Sequence, residues 1–300
     1  MTLLTQAEDR NDAETALLQR AGECSAEPGA PYRLVAARHG LMLVNANDLY
    51  MGQAYLIYGE CCEMETQFLL SLLRVPGLVI EVGANMGVHT VPMARALRER
   101  RLLALEPQRI VFQQLCANLA LNGLRNVTVL PYAAGARTGA VEIELPDYMQ
   151  PGNFGAASLT PPLGSMRETV QCVRLDDLVQ AESERVGLIK IDVEGEELSV
   201  LRGAEAIVAG SRPVLYIEND RAERSRDLIR WLWEREYRLW WHLPPLFHAR
   251  NIRGVAEDHY PQLCSVNMLC LPRESAMRVD GQEEILDADW HPTLRPCDER

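Results

Sequence analysis

From residue 77 onward the chain alternates short apolar runs with longer amphipathic stretches, and this alternation constrains the fold more than any other feature. "LVIEVG", "RLLALEP", "VTVLPYA", "VGLIKIDVEG" and "RPVLYIEN" read as strands. Helical periodicity covers 88–100, 108–122 (ending at "NG"), 195–209 and 222–236. Strands that are apolar throughout and separated by helices build a mostly parallel sheet covered on both faces. "YRLWWHL" and "SVNMLCLP" read as two closing strands. The predicted class is therefore α/β.

Outside this frame the pattern changes. Residues 1–30 are polar, with a short helical stretch over 12–20 and then "AEPGAP", and read as a flexible N-terminal arm. Residues 31–75 read as a small N-terminal cap. It is rich in strand-like runs ("RLVAA", "GLMLVN", "QAYLIYG") and leads into a helix over 60–74. Within 135–180 the alternation breaks. "GAVEIEL" and "ETVQCVRL" read as a strand pair, joined by "PDYMQPGNFGAASLTPPLGS", which carries Asn153, Phe154 and Ser158. A loop of that length inside a domain is commonly functional. The core domain then spans 76–272, and 273–300 is a C-terminal tail.

Composition narrows the partners. The chain has 300 residues, 47% hydrophobic and 24% charged, enough for a sizeable core. Its formal net charge of -12 argues against a nucleic-acid partner and against adsorption to anionic membranes. No apolar run is long enough to span a bilayer, and the N-terminus lacks the pattern of a signal peptide. The eight cysteines form no CxxC pair and have no histidine at metal spacing, so no metal site is predicted. Adjacent Cys61 and Cys62 read as two reduced thiols, which fits a cytoplasmic protein.

The stretch "VIEVGANMGVHT" (79–90) ends a strand with an acid and then places Gly83, Asn85 and Gly87 two apart. In an open parallel sheet, ligands bind beyond the carboxyl ends of the strands. The dinucleotide fingerprint GxGxxG is not met: Asn85 stands at its second glycine, and Gly87 lies one position short of its third. That disfavours a nicotinamide-dependent oxidoreductase. Glu81, inside the strand, would repel a pyrophosphate but suits a ligand bearing a cation or an amino group. Glu106 closes the next strand, where an acid can accept hydrogen bonds from ribose hydroxyls. The structural alternative for each is a helix-dipole or surface carboxylate.

"VIEVGANMGVHT", "LEP", "VLPYAAG", "VRLDDL", "LIKIDVEGEELSVLRGA" and "SVNMLCLP", with "IYGECCEME" before them, resemble the FkbM family of S-adenosylmethionine-dependent O-methyltransferases over about residues 50–272, in the family's order. The resemblance implies a Rossmann-like seven-stranded methyltransferase sheet, the last strand antiparallel. It implies S-adenosylmethionine as cofactor. Glu81, Gly83, Ala84, Asn85 and Gly87 would hold its methionine part, and Glu106 and Pro107 its ribose. Ala133 and Ala134 would lie near its adenine. The implied acceptor is a hydroxyl of a sugar or glycan precursor, or alternatively of a polyketide or peptide natural product. A binding module that has lost catalysis is the reading outside enzymes.

Lys190 is the single lysine of the chain. Strand alternation puts Lys190, Asp192 and, if the strand runs on, Glu194 on one side at the ligand edge. Asp192 is the first candidate for a base. Lys190 would hold it ionised or steady a developing alkoxide, and Glu194 would orient a substrate hydroxyl or cap the next helix. A structural salt bridge is the alternative. Downstream, "WLWEREYRLWWHLPPLFHARN" holds Trp231 and Trp233 on a helix, then Trp240, Trp241 and His242 at a strand end. Trp241 and His248, with Asn153, are candidate substrate contacts, since aromatic faces suit sugars; core packing is the alternative. His242 is a second candidate base.

Overall fold

A computed structural model describes residues 30–155, 166–179 and 185–294. The expected arm at 1–30 lies outside the described residues except for Ala30, as do Ser158 and the end of the tail. Every residue of β3 (Leu78–Val82), β4 (Leu102–Leu105) and β9 (Val186–Ile191) is buried, as expected for strands covered on both faces. They pair in parallel with β5 (Val127–Leu130) and β10 (Val214–Glu218). β11 (Tyr237–His242) and β12 (Asn267–Pro272) complete a seven-stranded sheet of order β11-β12-β10-β9-β3-β4-β5. β12 is antiparallel to both of its neighbours. The winding runs outward from β3 through β4 to β5, then returns to β9 on the other side of β3. The β3–β9 seam is therefore the switch point of a Rossmann-like sheet.

Helices cover both faces. α1 (Met51–Tyr58), α2 (Glu63–Leu72), α3 (Thr90–Leu97) and α4 (Arg109–Leu121) pack over Val79, Leu188 and Tyr216. α6 (Glu197–Arg202), α7 (Glu205–Ser211) and α8 (Ala222–Glu234) pack over Ile80, Val82 and Ile189. A short α5 (Leu175–Leu178) precedes β9. None of the helices among the described residues is long and apolar enough to cross a membrane.

The cap opens with an antiparallel hairpin, β1 (Tyr32–Ala37) and β2 (Gly40–Asn45). Two asparagines one turn apart on α4 satisfy the outer edge of β2. Asn118 and Asn122 each accept from a β2 amide (Leu43 at 2.6 Å, Leu41 at 3.0 Å) and donate back to the same residue's carbonyl. Cap and sheet share one hydrophobic cluster, in which Met42, Tyr58 and Leu69 meet Val79 and Leu269.

Three sequence expectations are corrected. "QAYLIYG" is helix α1, not a strand; Asp48 accepts the Tyr50 amide in the turn before it, and Gly59 closes it in a left-handed turn. "VTVLPYA" divides at Pro131. β5 stays in the main sheet, and β6 (Tyr132–Ala134) joins a second sheet with β7 (Gly139–Glu144) and β8 (Arg167–Val173). The helix expected over 195–209 is two helices, α6 and α7, parted at Gly203, where a Cβ would lie 2.0 Å from the Gly135 carbonyl oxygen.

Candidate active site

At the carboxyl ends of β3, β4, β9 and β10 lies a cavity of about 440 Å³, within the size range of small-molecule sites. Its walls are acidic: Glu65, Glu81, Glu106, Asp192, Glu194, Glu218 and Asp220 line it, against the two cations Lys190 and Arg221.

Strand pairing sets the centre. Glu81 and Lys190 are partners across the β3–β9 seam, and Tyr216 is the partner of Lys190 on the other side. Lys190 is 2% exposed, and its Nζ donates to Asp192 Oδ2 at 2.9 Å. Asp192 is 32% exposed, toward the cavity. Burial pushes the Asp192 carboxyl up, but the Lys190 charge and hydrogen bond outweigh it and hold it below its ordinary value. Lys190 loses from burial and gains more from Asp192, Glu81 and Glu65, so its pKa is raised. The pair is ionised at neutral pH.

Glu81 and Glu106 are buried, and burial pushes each up to about 7. Thr90 Oγ1 donates to Glu81 Oε2 at 2.6 Å. Glu106 accepts the Asn85 amide at 2.9 Å on one oxygen and the Gln108 amide at 2.8 Å on the other. A carboxylate offers about four lone-pair directions, so two remain for a ligand diol.

Gly83 lines the cavity and also serves the seam between two strands. A Cβ at Gly83 would lie 1.8 Å from the Asp192 carbonyl oxygen, and the Gly83 φ is +80°. Glycine here lets β3 and β9 close on each other. Gly87, with φ +95°, does not line the cavity; a Cβ there would meet Leu115 at 2.8 Å. Ala84, Asn85, Pro107, Ala133, Ala134 and Asn153 all line the cavity with Gly83.

Glu194 also reaches the cavity, although β9 ends at Ile191 and Glu194 turns left-handed with φ 56°. It bonds Arg221 at 2.5 Å, and burial pushes it up to about 7. Glu197 accepts the amides of Val193 and Gly195 and so fixes the turn before α6, while the Glu194 carboxylate bonds Arg221. Glu194, Glu218 and Asp220 bring carboxylate oxygens within 4.8 Å of one another, and Arg221 bridges the first and last.

Besides Gly87, three residues singled out from the sequence are placed elsewhere. His242 is held by Tyr216 at 2.7 Å and stacked on Phe68, burial lowers it to about 4, and it does not line the cavity. Trp241 is 4% exposed and packs edge-on against Trp290 and His291. His248 is buried against Glu60 at 2.7 Å.

Several lining residues escaped the sequence reading. Glu65 comes from α2 and sits 3.4 Å from His89, which burial keeps neutral. Burial pushes Glu65 up to about 7. Glu65 closes the "IYGECCEME" stretch that carries part of the resemblance, but only tertiary packing of α2 brings its side chain to the cavity. Glu218 ends β10 and Asp220 follows it in "VLYIEND", so the strand-end logic applied to Glu81 and Glu106 would have found them.

The family model of the Methyltransferase FkbM domain matches residues 81–239, more than half of the chain. Methyltransferase sdnD of Sordaria araneosa is 27% identical over 185 residues, covering 51% of this chain and 70% of that protein. Methyltransferase 1 of Beauveria bassiana (strain ARSEF 2860) is 28% identical over 145 residues, covering 42% of this chain and 58% of that protein. The crystal structure of Methyltransferase FkbM from Methylobacillus flagellatus KT aligns at 20% identity with a TM-score of 0.41, over 64% of this chain and 43% of that one. This chain thus spans less than two thirds of the Beauveria and Methylobacillus proteins. With the match over residues 81–239, the chain belongs to the FkbM family of methyltransferases.

Proposed function

We propose that the protein is an S-adenosylmethionine-dependent O-methyltransferase acting on a hydroxyl of a sugar or glycan precursor. One observation carries the reading: an acid-walled cavity at the switch point of the sheet, with the ionised Lys190–Asp192 pair at its edge. When bound, S-adenosylmethionine supplies an electrophilic methyl group on a cationic sulfur. Its charge and its amino group suit these walls, and its ribose suits the free lone pairs of Glu106.

The chain's own residues have distinct roles in this proposal. Glu81 and the turn through Gly83, Ala84 and Asn85 hold the amino-acid end. Glu106 and Pro107 hold the ribose, with Ala133 and Ala134 beside the adenine. Asp192 accepts the proton of the acceptor hydroxyl, and Lys190 keeps it ionised until then. Glu194 and Asn153, with Glu65, Glu218, Asp220 and Ser265, offer polar contacts to a polyol. This support for a sugar rests on carboxylates and a serine, because Trp241 and His248 lie outside the cavity. The free thiols among the described cysteines support a reducing, cytoplasmic setting.

The test is calorimetric titration with S-adenosylhomocysteine, followed by transfer of radiolabelled methyl to a panel of glycans and free sugars. We expect saturable binding and label in an alkali-stable ether. A folded protein that takes up no S-adenosylhomocysteine ends the proposal.

A further inference from the structure

Cys61 and Cys62 are neighbours in sequence, and successive side chains ordinarily diverge, to opposite faces of a strand or around a helix. Here Cys62 takes a left-handed conformation at the start of α2, with φ 50° and ψ 38°. The two sulfurs come within 3.4 Å. The turn is pinned on both sides. Glu60 is bound by Arg38 at 2.7 Å, by His248 at 2.7 Å and by the Ile252 amide at 3.0 Å. Glu63 is bound by His39 at 2.7 Å and by Gln67 at 3.0 Å. A left-handed non-glycine residue persists only where its surroundings over-determine it. Cys61 is buried, while Cys62 lines the cavity.

We infer that Cys61 and Cys62 form a chelating site for trivalent arsenic, opening into the cavity. Taking about 2.3 Å for a bond from a soft centre to sulfur, two such bonds at angles of about 90–110° span about 3.3–3.8 Å. The pair already stands in that range. Zinc is a poorer match, because two sulfurs fill half of the four-coordinate shell it takes in structural sites. An arsenic atom carrying one carbon group needs two bonds and no more. The hydrogen bond to Cys62 and burial push the Cys61 thiol well up, so it stays protonated. Phenylarsine oxide and two thiols give a cyclic dithioarsinite and water: two As–S bonds form, the As–O bond breaks, and both thiol protons leave on the oxygen. Arsenic and sulfur keep their oxidation states.

The experiment incubates the full chain with one equivalent of phenylarsine oxide and excess glutathione, then reads intact mass. We expect one adduct that adds C6H5As and loses two hydrogens, persists in glutathione and is removed by 2,3-dimercaptopropanol. Cys61→Ser and Cys62→Ser should each lose it, and Cys264→Ser, at another cavity-lining cysteine, should retain it. An adduct that survives Cys62→Ser, depends on Cys264, or is displaced by glutathione overturns the site. Cys62 is only partly buried, so Cys62→Ser keeps the test sound should the buried Cys61→Ser fail to fold. The readout does not depend on methyl transfer.

Discussion

Glu81 and Glu106 show how a buried carboxyl ties ligand binding to pH. Each rises from an ordinary value of 4.5 to about 7 through burial, and Glu65 and Glu194 behave alike. A folded pKa above the unfolded one contributes stability that is complete below the unfolded value and is lost as pH rises through the folded value. Asp192 is depressed and titrates below this window. The unfolding midpoint of the ligand-free protein should therefore fall as pH rises from about 5 to about 8, as read by scanning fluorimetry; a rising midpoint would contradict the burial of these groups. Glu81→Ala and Glu106→Ala should each weaken S-adenosylhomocysteine binding by about tenfold to a hundredfold, since a charge-assisted hydrogen bond contributes about 1.5–3 kcal/mol. Unchanged titration curves would remove them from the ligand. Asp192→Asn should lower turnover by about 10²–10⁴-fold at near-normal cofactor affinity. Lys190→Met should shift the acidic limb of the pH–rate profile upward, because it removes the charge that holds Asp192 ionised. If the pair is only structural, both variants lose thermal stability and keep their turnover. These acids were legible in the sequence because strand ends announce themselves. Glu65 was not, since a helix side chain reaches the cavity only through tertiary packing.

At the scale of elements, the close meeting of β3 and β9 makes a sharp prediction about glycine. Gly83→Ala would drive a Cβ into the Asp192 carbonyl from a left-handed backbone. It should cost at least about 2 kcal/mol in urea unfolding and should weaken ligand binding through the displaced turn. Gly123 has a similar φ of +64° but nothing within 4 Å, so Gly123→Ala should cost about 1 kcal/mol. Equal losses at the two positions would show that packing at the seam is immaterial. The sequence pattern carried the existence and order of the main strands, because wholly apolar runs have few other uses. It failed where one residue changes direction. Pro131 parts β5 from β6 without interrupting the apolar run, and the apolar residues of "QAYLIYG" suit either a buried strand or a short helix. His242 and Trp241 were misleading for a related reason: a strand end looks the same in sequence whether it opens on a cavity or is packed against Phe68 or Trp290.

For the molecule as a whole, we propose that the cap at 31–75 and the domain at 76–272 are separate in topology but fold as one unit, because they share a hydrophobic cluster. Calorimetric unfolding should then be a single transition whose calorimetric and van't Hoff enthalpies agree; two resolved transitions would refute this. The position of β12 carries a further consequence. The last strand of the sheet lies between β10 and β11, both made earlier. A chain emerging from the ribosome therefore holds two unsatisfied strand edges side by side until residue 272 has cleared the exit tunnel. The sheet closes only after Asn267–Pro272 has been synthesised, and a nascent chain stalled before Asn267 presents both edges to any neighbour on the same polysome.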